Sequence, residues 1–302
     1  MNSTTPQPET VKAYLDALRA ALKGAPAGLI SDALSDAEEH LNNEMAAQPE
    51  LSEKQILASV IDTYGTPEEI AEEYRHMETT ISGPFPKSEE PQQQRYGFFN
   101  VVSDPRTYGA LMYMLLSLAT GIFYFTWVVT GLALSLSFMI LIIGIPFAML
   151  FVASVRVLAH VEGRLVEGLL GVRMPRRLPP ATSTDESIWT KVKEAITDAR
   201  TWSSMFYLAL MLPLGIVYFT LAITGVVCSL GVAAVSLWVL VTDNADHIQV
   251  SGSPFLEHLF HTAPGLLLLA VVGMLLFFVV LHLARGVGWF HGKVAELLLV
   301  RL

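Results

Sequence analysis

The long uncharged runs of this chain fall almost entirely within residues 108–158 and 202–284. A stretch such as 108–158, 51 residues of apolar chain, is about twice the roughly 20 to 25 residues that one helix needs to cross a hydrocarbon core. Backbone polar groups find no partners in lipid, so such runs must fold as helices that satisfy their own hydrogen bonds. With 52% hydrophobic residues and a mean hydropathy of +0.48, the 302-residue chain is too apolar for an ordinary soluble globule of its size. Residues 1–100, by contrast, are polar and read as helix-rich. Two regions matched to two different solvents are therefore expected.

The formal charge of −9 is unevenly shared. Residues 1–80 carry 15 Asp/Glu against 5 Lys/Arg, which leaves +1 for everything after them. A surface this acidic repels nucleic acid and anionic lipid and suits a basic protein partner, so direct nucleic-acid binding is not expected. The N-terminus has no basic segment leading into an apolar one, so no cleavable signal is expected and the first domain should stay in the cytoplasm. The single cysteine, Cys228, lies in an apolar run and reads as a small buried hydrophobe.

Apolar residues at helical spacing predict amphipathic helices over about 9–24 (Tyr14, Leu15, Leu18, Leu22) and 28–47 (Leu29, Ala33, Ala37, Leu41). A third starts at Ser52, where Gln55 completes a capping-box pattern and Leu51 is placed to staple. Then Gly65-Thr66-Pro67-Glu68-Glu69 sets a glycine C′, a threonine N-cap, a proline at N1 and a glutamate at N3 side by side, a sharp corner into a fourth helix over about 67–78. His40 stands among Glu38, Glu39 and Glu44 but lacks the second histidine of a zinc-binding H-E-x-x-H, so it reads as part of a solvated acidic face. Tyr14-Leu15-x-x-Leu18, Asp36-Ala37-Glu38-Glu39-His40-Leu41 and Tyr64-Gly65-Thr66-Pro67-Glu68-Glu69-Ile70-Ala71 resemble the HAAS signalling domain over most of residues 10–76. That resemblance implies an all-helical regulatory module of membrane proteins with a cytoplasmic protein partner such as a PadR-like transcriptional regulator.

Behind a Pro/Gln/Glu-rich linker (81–103) the chain repeats itself. At an offset of 94, Asp104-Pro-Arg-Thr lies over Asp198-Ala-Arg-Thr, Tyr113 over Tyr207 and Gly121-Ile-Phe-Tyr-Phe-Thr over Gly215-Ile-Val-Tyr-Phe-Thr, with 15 of 33 positions identical between 104–136 and 198–230. At an offset of 129, Arg156 lies over Arg285 and Gly163 over Gly292. Membrane repeat 1 (104–173), a cytoplasmic linker (174–197) and membrane repeat 2 (198–302) follow, each repeat holding a span out, a span back and an amphipathic interfacial segment. The predicted fold class is all-α: a cytoplasmic four-helix domain plus four transmembrane helices in two parallel repeats. Gly131 to Ser135 is the expected turn of repeat 1, and residues 226–241 read as an extension of span three or a re-entrant segment, with a fifth span as the alternative. The stretch Arg156–Arg200 holds eight Lys/Arg and the 242–263 insert none, which by the positive-inside rule puts both termini in the cytoplasm of a bacterial inner membrane.

Thr107-Tyr108, Gly121-Ile122-x-Tyr124-Phe125, Thr130-Gly131, Ser135, Gly144-Ile145-Pro146 and Glu167-x-Leu169-Leu170-Gly171, repeated with decay, are similar to the sensor domain that precedes some bacterial histidine kinases, over roughly 104–302. No kinase follows Leu302 here, so output is expected through the HAAS-like domain or a separate partner. The spans carry no charge that would mark an ion path; Arg156, Arg285 and His282 read as snorkelling ends, and Gly121, Gly131, Gly215, Gly225, Ser135 and Ser229 as close-packing positions. In the insert, His247, His258 and His261 with Asp243, Asp246 and Glu257 are the one candidate metal or pH site, because His258 and His261 three apart share a helix face. No catalytic motif and no cofactor fingerprint occur, so a non-enzyme without cofactors is expected. Two functions fit: a membrane sensor of an envelope or lipid cue signalling through the helical domain, or a non-catalytic subunit of a transporter or other membrane complex. The lipid bilayer is the first partner, and self-association into a homo-oligomer through uncharged spans fits as well.

Overall fold

The structure, a computed structural model, describes residues 8–80, 98–140, 144–175, 197–242 and 258–300. Eight α-helices follow one another among them: α1 (Val11–Ala21), α2 (Ala27–Ala47), α3 (Glu53–Tyr64), α4 (Pro67–Thr80), then, after a 3-10 turn at Phe98–Ser103, α5 (Pro105–Phe138), α6 (Gly144–Leu170), α7 (Ala199–Thr242) and α8 (Ala263–Leu299). By contacts the chain divides into two compact units. One comprises Met1–Lys87, Gly131–Tyr207 and Val294–Leu302, the other Ser88–Thr130 and Leu208–Lys293.

In the first unit, α1 to α4 close on a core of their own. Tyr14, Leu18 and Leu22 of α1, Ala33, Ala37 and Leu41 of α2, Ile56, Leu57, Val60 and Ile61 of α3, and Ile70 and Ala71 of α4 are buried together. These are the residues that helical spacing assigns to apolar stripes, and burying each large one contributes about 1.5–3 kcal/mol. Local chemistry then sets the boundaries. Ser52 donates through its backbone N–H (3.1 Å) and its hydroxyl (2.8 Å) to Gln55 Oε1. Leu51, the residue placed to staple, is 44% exposed. Gly65, at φ +115°, turns the chain between α3 and α4 in a region an L side chain rarely enters. Thr66 N–H donates to Glu69 Oε2 at 2.9 Å while Glu69 N–H donates to Thr66 Oγ1 at 3.3 Å, a reciprocal cap that holds the Glu69 carboxyl below the usual carboxylate range. The Tyr14 hydroxyl donates to the Gly65 carbonyl at 2.9 Å and pins that corner to α1. His40 stacks on the Tyr64 ring with centroids 4.4 Å apart, a packing role for a residue that stands in an acidic surrounding.

Helices α5 to α8 are each long and apolar enough to cross a membrane. Even α6, at 27 residues, spans about 40 Å against a hydrocarbon core of about 30 Å. Ile122, Phe123, Val227, Val271 and Val279 are about half exposed or more, as lipid-facing residues are. Cys228 is also exposed, a correction to its expected burial: in a spanning helix an apolar neighbourhood marks the lipid face as readily as the core. The expected turn at Gly131–Ser135 is inside α5, which runs on to Phe138. Gly131 is there for packing, because the Phe151 ring lies where a Cβ would project, and the Ser135 hydroxyl donates back to the Gly131 carbonyl at 2.7 Å. Residues 226–241 continue α7 without a break. The amphipathic segments that close the repeats are continuous with the spanning helices α6 and α8.

The duplication reappears in contacts. In the second unit a Cβ on Gly121 of α5 would meet the Met211 carbonyl oxygen of α7 at 2.5 Å, and one on Gly215 of α7 would meet the Ser117 carbonyl of α5. Since 121 aligns with 215 and 117 with 211, the contact is reciprocal, as in an isologous interface. The small residues let two backbones touch, which is how apolar helices associate where lipid removes the hydrophobic incentive. The same unit packs Gly225 on Val280, and the first unit packs the aligned pair, Gly131 on Phe151.

Candidate functional site

Arg173 lies just past α6, after Gly171, whose φ of +70° and N–H bond to the Glu167 carbonyl (3.1 Å) end that helix. The chain there leaves the helix and crosses α2 closely: a Cβ on Gly28 would come within 2.7 Å of the Met174 carbonyl carbon and 2.8 Å of the Arg173 oxygen. Met174 is buried in the process. The Arg173 guanidinium then reaches Asp32 of α2 (Nη2 to Oδ2, 2.8 Å), Glu78 of α4 (Nε to Oε2, 3.2 Å) and Glu167 of α6 (Nη1 to Oε1, 3.7 Å), and donates to the Met174 carbonyl. Glu167 is shared with Arg164 at 2.6 Å. Exposure decides how much this cluster matters. Lys54 and Glu9 approach to 2.5 Å, but at 69% and 68% exposure water screens the pair and it adds little. The side chains of Arg173, Asp32 and Glu78 are only 11%, 8% and 7% exposed, so removing the arginine breaks buried ion pairs at a cost of about 3–5 kcal/mol. The cluster ties two helices of the N-terminal domain to the end of a spanning helix.

Arg156 and Arg285 do not snorkel alone. Arg156 Nη2 binds Asp198 Oδ2 at 3.0 Å and Thr201 Oγ1 at 3.1 Å in the first unit, and Arg285 pairs with Asp104 at 3.6 Å in the second. Asp104 and Asp198 also accept from the backbone N–H two residues on, at 3.0 Å each, and so cap α5 and α7 in the same way. Each arginine thus meets the aspartate of the other repeat. His282 is likewise engaged: its Nε2 lies 3.1 Å from the Phe98 carbonyl and its ring 5.0 Å from the Phe98 ring.

A buried polar group in the second unit has no counterpart in the sequence reading. His291 of α8 is fully buried, with Nε2 2.5 Å from the Tyr113 hydroxyl and Nδ1 3.4 Å from that of Tyr218. A neutral imidazole offers one donor and one acceptor, and tyrosine hydroxyls complement either tautomer. His291→Leu should remove the bonds to both hydroxyls, leaving Tyr113 its weaker one to Met211 Sδ at 3.8 Å, and cost about 1–3 kcal/mol. The check is thermal unfolding of the purified protein in detergent, where His291→Gln, which keeps a donor and an acceptor, is expected to lose less. The offset of 129 sets His291 over Glu162, itself fully buried; that aligned pair of polar residues was the available signal.

Of the candidate metal ligands, His258 and His261 are exposed and precede α8, whereas His247, Asp243, Asp246 and Glu257 lie outside the described residues. Among the described residues no three His, Cys, Asp or Glu side chains converge to hold a metal ion.

Four helices long and apolar enough to span a membrane, preceded by a small helical domain clamped to one of them, define a helical membrane protein with a docked N-terminal domain. The family model described as "Putative sensor" matches residues 113–299, more than half of the chain, and the chain belongs to that family; the HAAS model matches residues 13–73. Comparison with curated proteins and with solved structures returned no match.

Proposed function

We propose that the chain is a membrane-embedded, non-enzymatic signalling protein of the inner membrane, in which the paired helical repeats respond to an envelope or lipid cue and the N-terminal domain transmits it to a basic cytoplasmic protein, a transcriptional regulator of the PadR-like kind. The Arg173 cluster carries this reading. It supplies a rigid connection from α6 to α2 and α4 that does not depend on the chain between α4 and α5, so a shift or rotation at the end of α6 moves the domain. The eight basic residues between Arg156 and Arg200, against none in 242–263, support cytoplasmic termini. Glu38, Glu39, Asp62, Glu68, Glu72 and Glu73 are exposed and give the domain the acidic surface a basic partner would use.

The test immobilises the detergent-solubilised full-length chain and exposes it to cytoplasmic proteins at low and high salt, beside a variant with those six carboxylates made amides. Retention of a basic DNA-binding regulator at low salt, and its loss on neutralisation, is the expected result. Equal capture by both proteins, or none by either, would count against signalling through this surface.

A further inference from the structure

We propose that the first unit contains a binding site for a phosphate-bearing anion, in the cavity between α2, α6 and the start of α7. The cavity measures about 250 Å³, room for about eight water molecules at roughly 30 Å³ each. Three helices each turn one pair of polar residues spaced i, i+4 toward it: Ser31 and Ser35 from α2, Arg156 and His160 from α6, Arg200 and Ser204 from α7. Residues four apart share a helix face, so all three pairs are presented as units. Two guanidinium groups, that of Arg200 at the exposed rim, an imidazole and three hydroxyls therefore line the cavity, with Asp198 the one carboxylate among the described lining residues. That carboxylate is engaged with Arg156 (3.0 Å) and with the Arg200 N–H (3.0 Å), where it caps α7. Among the described residues Ser31, Ser35, His160 and Ser204 have no hydrogen-bond partner, though each is partly buried. Four donors without partners among the described residues, beside the Arg156 and Arg200 guanidinium groups, suit an oxyanion with several acceptor oxygens, and a phosphate group is the ligand chemistry that guanidinium and hydroxyl donors match.

The second unit supports a dedicated site over a by-product of the architecture. The equivalent positions of the second unit keep the arginines, as Arg285 and Arg106, but have Trp289 in place of His160 and Ala110 in place of Ser204. Met174 lines the cavity and also abuts Gly28 beside the Arg173 cluster, so a bound anion would stiffen the docking of α2. The inference does not rest on the sensor reading, because anion binding can be measured whether or not the chain signals.

Two sources offer the same chemistry, a lipid headgroup and a free phosphate. Full-length protein in a maltoside detergent free of phospholipid is titrated with inorganic phosphate against chloride at equal ionic strength; in parallel it is placed in nanodiscs of phosphatidylcholine with or without phosphatidic acid. The readouts are affinity and the midpoint of thermal unfolding. His160→Trp with Ser204→Ala installs the residues found at the equivalent positions of the second unit, and Ser31→Ala with Ser35→Ala trims a different helix, so one misfolded variant cannot decide the matter. A saturable response to phosphate, weakened about tenfold or more in both variants, would identify a soluble phosphate. Stabilisation by phosphatidic acid alone, lost in the variants, would identify a headgroup. No response to either probe, or an equal response in wild type and both variants, would overturn the proposal.

Discussion

Arg173→Ala releases the N-terminal domain from the end of α6 without unfolding it: this is the expected outcome with the largest effect. The arginine is 11% exposed and faces Asp32 and Glu78 at 8% and 7%. Its loss breaks two buried ion pairs, and separating the surfaces lets water reach the carboxylates, which accounts for the loss of about 3–5 kcal/mol of docking. The domain core, built only from α1 to α4, is untouched. Arg173→Lys keeps the charge but cannot reach two carboxylates with a planar fork, so it should fall between wild type and alanine. Gly28→Val should undock the domain by a second route, because its side chain would meet the backbone of residues 173 and 174 with no change in charge. The check is a distance distribution between spin labels at Glu39→Cys on α2 and Gly168→Cys on α6, after Cys228→Ala, in bilayers. Wild type gives a single narrow distance; Arg173→Ala and Gly28→Val give broad, longer ones.

The second large effect is expected in the spans. Gly121→Ala and Gly215→Ala each push a methyl into the backbone of the opposite helix, at 2.5 Å from the Met211 carbonyl oxygen in the first case and against the Ser117 carbonyl in the second. Backbone in a spanning helix cannot swing aside as a side chain can, so each substitution should cost at least the roughly 1–3 kcal/mol typical of overpacking. The repeats make these contacts reciprocally, and the two losses should therefore be similar. Gly286→Ala is the control, with nothing within 4 Å of its Cβ position; there the methyl should be neutral or stabilise by about 0.5–1 kcal/mol through helix propensity. Thermal unfolding in detergent separates the cases, and a Gly121→Ala protein as stable as Gly286→Ala would contradict the close crossing.

Much of this architecture is readable from local pattern. The stripes of Tyr14, Leu18 and Leu22 and of Ala33, Ala37 and Leu41 are the buried ones, and the corner at Gly65-Thr66-Pro67 turns as its residues require. The offset of 94 aligns Gly121 with Gly215, and the two make matching contacts, on Met211 and on Ser117, because duplicated residues occupy duplicated environments. What fails does so for physical reasons. Gly131 and Ser135 resemble a turn, but in lipid a glycine in a helix marks close approach at least as often as chain reversal, and here it receives the Phe151 ring. Cys228 misleads because apolar surroundings signify burial only in water. Arg173 reads as one basic residue among eight; its partners lie 141 and 95 positions away, beyond any local periodicity. His291 hides for the same reason, 178 positions from Tyr113.

The central claim is that Arg173 couples the N-terminal domain to the membrane helices, and a double-mutant cycle between Arg173 and Asp32 tests it most directly. Hydrogen exchange along α2 and α4 is followed in the full-length protein in bilayers for wild type, Arg173→Ala, Asp32→Ala and the double variant. The two sites should be strongly non-additive: each single change lowers protection, and the double change lowers it little beyond the worse of the two, with a coupling of about 1.5 kcal/mol or more. Additive losses, or protection unchanged by Arg173→Ala, would contradict the account.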